Sequence, residues 1–229
     1  MTTKLLNLTT VRIPVNGVML EGELEIPTDA KGLVIFAHGA GSSRFSPRNM
    51  AVAKRLQAHR LATLLVDLLT GEEDLAYENR FDIDLLTERL SAITDWAEHD
   101  SRTSSFPIGY FGASTGAAAA LLAAYGASDT VRAVVSRGGR VDLAERVLDK
   151  VTTPTLLIVG QNDVGVIEVN QDAFLRLKGK KELSIIPRAS HLFEEPGALD
   201  RVAVLAAEWF NTYLNGPSYN KRGGTGDQA

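Results

Sequence analysis

The chain has 229 residues, 45% hydrophobic and 23% charged, with a formal net charge of −4. That is the composition of a globular protein of one domain, or at most two small ones, and the lack of a basic surplus argues against nucleic acid as a partner. The sequence contains no cysteine, so disulfides, thiolate nucleophiles and cysteine-based metal sites are excluded, and any nucleophile must be an oxygen or nitrogen group.

Met1 to Thr10 lack the basic start, apolar run and small-residue cleavage site of a secretory signal, so a cytoplasmic location is expected. Thr10 to Pro27 read as an antiparallel hairpin. Val11, Ile13 and Val15 alternate, Asn16-Gly17 is a strong turn pair, and Met19, Glu21, Glu23 and Glu25 alternate with apolar or small residues. Short runs then follow that are largely apolar on both faces: Leu33 to Ala37, Ala62 to Val66, Ile108 to Phe111, Val131 to Val135, Thr155 to Val159 and Leu183 to Ile186. Such runs mark strands of a parallel sheet covered on both sides.

Helices alternate with these strands. The first opens at Ser46-Pro47, a serine cap followed by a proline whose missing N–H is harmless at the first helical position, and it runs to about Arg60. A second places Ile83, Leu86, Leu90, Ile93 and Ala97 on one face. Ala117 to Tyr125 are apolar but too short to cross a bilayer, and read as a buried core helix, so no membrane partner is expected. Val141 to Lys150 read as one short helix. The last helix gathers Val202, Leu205, Ala206, Trp209, Phe210 and Tyr213, and stops at Gly216-Pro217. Residues 1–216 are expected to form one domain and the polar residues 217–229 a disordered tail. The fold class is therefore α/β: a mostly parallel, doubly wound sheet opened by an antiparallel hairpin, with ligand sites at the carboxyl ends of the strands.

Chemistry is concentrated at such ends. Gly112-Ala113-Ser114-Thr115-Gly116 is a G-x-S-x-G between a predicted strand and a predicted helix, the context of a nucleophile elbow. Its partners should follow in the order acid then histidine, each on a loop after a later strand. Asp163 follows Thr155 to Val159 through Gly160-Gln161-Asn162, and His191 follows Leu183 to Ile186 through Pro187-Arg188-Ala189-Ser190. Ser114 is thus the candidate nucleophile, His191 the base and Asp163 the orienting acid. The glycine-rich His38-Gly39-Ala40-Gly41-Ser42-Ser43 follows another strand, and the backbone N–H groups of Ala40 and Thr115 are the candidate oxyanion donors. His38, His59 and His99 read as structural or capping residues.

Only Gly138 to Thr153 separate two successive strands, too few for an inserted cap, so an open, small site without a cap domain is expected, suited to short esters. Arg44 and Arg137, on loops after strands, are candidates for holding a substrate anion, with a structural pairing of Arg137 to Asp142 as the alternative. Glu72, Glu73 and Asp74 have no histidine at ligand spacing and read as a solvated loop, and Asp67 as a loop acceptor. No metal and no cofactor are expected.

Taken together these motifs resemble the α/β-hydrolase superfamily from the hairpin to the last helix. Within it the chain looks like the dienelactone-hydrolase-related group, and in particular like small stand-alone or phosphoribosyltransferase-fused members, through Ser46-Pro47-Arg48-Asn49, Ser136-Arg137-Gly138-Gly139-Arg140 and His191-Leu192-Phe193-Glu194-Glu195-Pro196-Gly197. The resemblance implies a serine hydrolase acting on a small-molecule ester through an acyl-enzyme. Dienelactone hydrolases themselves use a cysteine nucleophile where this chain has Ser114, which puts lactone specificity in question, and the hydrolase is expected to fill the length available, with no phosphoribosyltransferase segment expected beside it. Lactone or thioester hydrolysis, acyl transfer on the same triad, and a non-catalytic small-molecule-binding module on the scaffold stay open alternatives. A homo-oligomer is compatible with the sequence but not readable from it.

Overall fold

The computed structural model describes residues 8–215. The hairpin is β1 (Thr9–Val15) and β2 (Val18–Glu25), with Val15 paired to Val18 across Asn16 and Gly17, both at positive φ, so the two-residue turn carries the twist of the flanking strands. The remaining strands are β3 (Leu33–Ala37), β4 (Ala62–Val66), β5 (Ile108–Ala113), β6 (Val131–Arg137), β7 (Thr155–Gly160) and β8 (Lys181–Ile186). They join the hairpin in one eight-stranded sheet of order β1-β2-β4-β3-β5-β6-β7-β8. β1 and β2 are antiparallel, β2 meets β4 antiparallel, and every pairing from β4 to β8 is parallel. The strand order reverses around β3, so the loops after β3 and β5 open side by side at one carboxyl edge.

Helices cover both faces. On one lie α1 (Pro47–Ala58) and α6 (Ala198–Leu214), burying Val52, Leu56, Val202, Ala206 and Phe210 against Phe36, Phe111 and Val135. On the other lie α2 (Ile83–His99), α3 (Thr115–Gly126), the short α4 (Glu145–Leu148) and α5 (Val164–Arg176). α3 is buried over ten consecutive residues, Thr115 to Ala124, as its alanine-rich sequence permits, because small side chains let its backbone lie close to the sheet. Tyr110 is fully buried beneath α2, where its hydroxyl lies 2.6 Å from Thr94 Oγ1, and burial of the phenol raises its pKa well above the ordinary value.

The elements depart from the sequence reading in detail. β5, β6 and β7 each run one or two residues further, carrying the strands to the site itself. β8 is an edge strand with only Ile186 buried, so its runs of apolar residues are half solvent-facing and not covered on both sides. Val141 to Lys150 split into a 3-10 turn, Val141–Ala144, and α4. The acidic cluster is tied into ion pairs: Glu73 receives Arg89 at 2.6 Å and Asp74 receives Arg80 at 2.8 Å. Among the described residues no helix is long and apolar enough to cross a membrane. The helix stop at Gly216-Pro217 and the tail 217–229 lie outside the described residues.

Candidate active site

Ser114 occupies the corner between β5 and α3 with φ 51° and ψ −122°, a backbone state that non-glycine residues rarely adopt and that surrounding structure must impose. The neighbouring glycines show how tightly the corner is built. A Cβ on Gly112 would lie 2.5 Å from Ala117 Cα, and one on Gly116 only 2.2 Å from the Ala37 carbonyl oxygen at the end of β3. The Ser114 N–H donates to the Arg137 carbonyl at 3.2 Å, and its own carbonyl accepts from Ala117 and Arg140. The serine is half-buried, at the positive end of α3.

Asp163 and His191 are in contact: His191 Nδ1 lies 2.6 Å from Asp163 Oδ2. Asp163 precedes α5 but makes no side-chain cap to it, so its carboxylate serves the imidazole and not the helix end. The two loops are locked together by a ladder in which Gln161 N donates to Ile186 O, Asn162 N to Ala189 O, Asn162 Nδ2 to Arg188 O, and Arg188 N to Gln161 Oε1, all at 2.9 Å. Gly160 permits this approach, since a Cβ there would sit 2.4 Å from the Ala189 carbonyl oxygen. Beyond the histidine, Ser190 N donates to Glu195 Oε1 at 3.0 Å, and hydrogen bonding from the Ser190 side chain, followed by that from the backbone N–H groups of Glu195 and Ser190, lowers the pKa of the Glu195 carboxyl. Phe193 sits buried at positive φ inside the same turn. His191 packs against Gly138, whose Cβ, if built, would be 3.4 Å from the ring. Ser114 and His191 are therefore joined through β6, one touching Arg137 and the other the next residue.

The glycine loop after β3 runs beside the serine, with an ideal Cβ on Gly39 falling 2.9 Å from Ser114 Cβ. Ala40 and Thr115 are brought together, but in an arrangement the sequence reading did not contain: the Ala40 N–H donates to Thr115 Oγ1 at 2.9 Å. His38 is structural, its Nε2 accepting the Leu68 N–H at 3.2 Å and its Nδ1 facing the Gly39 carbonyl. His59 and His99 each turn Nδ1 to a carbonyl one turn back in their helices.

The two arginines part company. Arg44 is held by Asp67, Glu21 and Glu23, with Glu21 Oε2 at 2.6 Å and Asp67 also accepting the Arg44 N–H at 2.7 Å. Three carboxylates surround one guanidinium, so Arg44 ties the glycine loop to the hairpin and is not a free anion receptor, which corrects the expectation for it. Arg137 does not pair with Asp142, which takes Arg140 instead at 2.7 Å. It is 8% exposed, its Nη1 is buried without a hydrogen-bond partner, and burial together with the charge of Arg48 lowers its pKa to about 10. It remains a cation at neutral pH.

Sequence reasoning did not identify Gln161, Asn162, Glu195 and the Thr115 hydroxyl as site-building groups. The first two stand next to the acid in Gly160-Gln161-Asn162-Asp163, and polar amides at a strand end followed by a carboxylate were a usable signal.

Comparison with known proteins agrees with this fold. No family model matches the chain. A crystal structure titled dienelactone hydrolase, from Anabaena variabilis, is 56% identical with a TM-score of 0.89, covering 91% of this chain and 99% of that one. Est1E from Butyrivibrio proteoclasticus, solved with ferulic acid, shares the fold at 20% identity and a TM-score of 0.79, covering 90% of this chain and 100% of its own. Two curated Mycobacterium tuberculosis proteins, from strains CDC 1551 and H37Rv, are 52% identical over 207 residues, which is 90% of this chain. Both carry the name "Putative phosphoribosyl transferase", and the chain spans 47% of their length. The elbow, the sheet order and a 56% identical relative matched over nearly its whole length place the chain in the α/β-hydrolase superfamily, within the dienelactone-hydrolase-related group.

Proposed function

We propose that the chain is a serine hydrolase of small carboxylic esters, with Ser114 as nucleophile, His191 as general base and Asp163 as its orienting acid. The observation that carries this reading is the 2.6 Å contact between His191 Nδ1 and Asp163 Oδ2, on two loops locked to each other, beside a serine at a strained elbow. With Nδ1–H donated to the carboxylate, Nε2 keeps a lone pair for the Ser114 proton. Oγ then attacks the ester carbonyl, and the imidazolium returns the proton to the leaving alkoxide as the acyl-enzyme forms. A water molecule, deprotonated by His191, releases the acid and restores the serine.

The developing oxyanion would be met by the backbone N–H groups of Thr115 and Ala40. The Thr115 hydroxyl holds the Ala40 N–H in the structure, and in this reading the oxyanion, a stronger acceptor, takes its place. Only Gly138 to Pro154 connect β6 to β7 and no cap is inserted there, which supports an open site and short acyl groups.

The experiment is covalent labelling with a fluorophosphonate ester and peptide mapping, beside hydrolysis of p-nitrophenyl acetate by wild type, Ser114→Ala and His191→Ala. Stoichiometric adduct on Ser114, and turnover lost in both variants, is expected. Folded protein that neither labels nor turns over would replace this reading with a non-catalytic binding module. The name of the 56% identical Anabaena protein favours a lactone as a second substrate class, read by assaying ring opening against linear esters. The transferase named for the longer mycobacterial proteins would, on this reading, belong to the half of them that this chain does not match.

A further inference from the structure

The turn after β6 touches both the candidate nucleophile and the candidate base. The Arg137 carbonyl accepts the Ser114 N–H at 3.2 Å, and the Arg140 N–H donates to the Ser114 carbonyl at 3.0 Å. Gly138 lies against the His191 ring, an ideal Cβ there falling 3.4 Å from its Nδ1 and Cε1, while a Cβ on Gly139 would strike Ser136 Oγ at 2.0 Å and Ala117 Cβ at 2.7 Å. The turn is thus pressed onto β6 and α3 on its inner side, and any shift of it moves Ser114 and His191 together.

Its outer side is held by a buried amide. Asn170 lies within α5, 0% exposed, and its Nδ2 donates to the Gly139 carbonyl at 2.9 Å and to the Val166 carbonyl, one turn back in its own helix, at 2.8 Å. Neither helix propensity nor burial favours asparagine at such a position. Its Oδ1 is buried without a hydrogen-bond partner, and the other fully buried residue of α5 is Ala173. What the amide supplies that an apolar side chain of the same shape could not is the donation to Gly139.

α5 begins at the acid. The Asp163 carbonyl accepts the N–H groups of Val166 at 3.0 Å and Ile167 at 2.9 Å, and the Val166 carbonyl in turn accepts from Asn170. Contiguous hydrogen bonds therefore run from the main chain of Asp163, through the first turns of α5 and Asn170, to the turn that holds Ser114 and His191. The amide ladder joins the acid's loop to the base's loop; Asn170 joins the acid's helix to the nucleophile's corner.

We propose that Asn170 is a positioning residue of the site: its amide holds the turn after β6 against α5 and so sets Ser114 and His191 relative to Asp163. The consequence for rate rests on the hydrolase reading, but the consequence for the turn does not.

The test uses N170L, which keeps the shape and removes both donations, and N170D, which restores a donor when its carboxyl is protonated. In N170L, kcat for p-nitrophenyl acetate should fall about tenfold to a hundredfold, as a misplacement of up to about 1 Å implies, and fluorophosphonate labelling of Ser114 should slow by the same factor. Hydrogen exchange at the Ser114 and Arg140 amides should quicken by about tenfold or more, without a matching change in β3. A neutral carboxyl donates to the Gly139 carbonyl whereas a carboxylate repels it, and burial raises a carboxyl pKa. The ratio of N170D to wild-type kcat should therefore rise severalfold from about pH 8.5 to about pH 6, with the N170L ratio flat. Y110F, altered beneath α2, should lose stability and keep its kcat. A folded N170L with kcat within about threefold of wild type, or with exchange at Ser114 and Arg140 unchanged, overturns the proposal, being well short of the loss that misplacement brings. An N170D ratio that does not rise towards acid overturns it equally, and decides the matter alone should N170L fail to fold. If wild-type Ser114 does not label, the hydrolase reading falls by itself, and exchange at the two amides decides the role of Asn170.

Discussion

Gly116→Ala tests whether the elbow is held by the contact between α3 and the end of β3. The added methyl would lie 2.2 Å from the Ala37 carbonyl oxygen, 2.5 Å from the His38 carbonyl oxygen and 2.7 Å from the Ala37 carbonyl carbon. An ordinary carbon–oxygen approach is about 3.3 Å, so the overlap is roughly 1 Å, and every atom struck belongs to the backbone. No rotamer change relieves it; α3 must move away from β3. Overpacking against adaptable neighbours costs about 1–3 kcal/mol, and a rigid backbone places this substitution at or above about 3 kcal/mol. For a chain of this size that is a fall in Tm of about 6–12 °C. The same displacement separates Ser114 from the glycine loop, and a misplacement of about 1 Å lowers a positioned reaction by roughly a hundredfold. Gly126→Ala, at the exposed last residue of α3, is the control: its methyl meets nothing within 4 Å, and removing a glycine should stabilise by up to about 1 kcal/mol. Circular dichroism melts and p-nitrophenyl acetate rates on both variants decide the matter. A Gly116→Ala protein melting within about 2 °C of wild type with full activity would refute the packing argument.

Asp163→Asn should preserve the fold but lower kcat by about a thousandfold or more, because the amide cannot hold His191 in the tautomer that presents a free Nε2; a loss below tenfold would remove Asp163 from the triad. Tyr110→Phe deletes a hydroxyl bonded to Thr94 and should cost about 1 kcal/mol at neutral pH in urea titration. Its pH dependence is sharper: the folded phenol keeps its proton above pH 10.0 while the unfolded one ionises, so wild-type stability should fall as pH rises from there, and this slope should be smaller in the variant. Arg44→Gln leaves Asp67, Glu21 and Glu23 facing one another and should destabilise by about 1–2 kcal/mol, with the preference between anionic and neutral esters unmoved; a lost preference would restore Arg44 to the substrate.

The sheet was legible because hydrophobic runs of five or six residues have few other uses between amphipathic helices, and because Asn16-Gly17 and Ser46-Pro47 carry their own local geometry. Strand ends were less so: Ser136 and Arg137 continue β6 although polar, since register with β5 and β7 outweighs local preference. β8 misled for the opposite reason, its apolar residues reading as covered when only one neighbour pairs with it. The place of Asp163 and His191 after successive strands made their approach expected, yet the amide ladder between their loops was not legible, because it depends on two loops distant in sequence approaching to hydrogen-bond range.

Arg44 and Arg137 show most clearly where one-dimensional reading ends. Both follow strands, both lie at the carboxyl edge, and nothing in their local sequence separates them. What separates them is the partner supplied by the rest of the fold. The hairpin folds back so that Glu21 and Glu23 of β2 face the loop after β3, with Asp67 at the end of β4 between them, and Arg44 is neutralised there. β6 lies on the other side of β5, where Arg137 has no carboxylate partner among the described residues and the charge acting on it is that of a second arginine, Arg48, itself paired with Glu194. A buried cation among carboxylates is explained by its surroundings, whereas one beside another cation is not. The different surroundings on the two sides of β5 therefore leave the Arg137 charge unexplained by its neighbours, at the strand end whose carbonyl receives the Ser114 N–H.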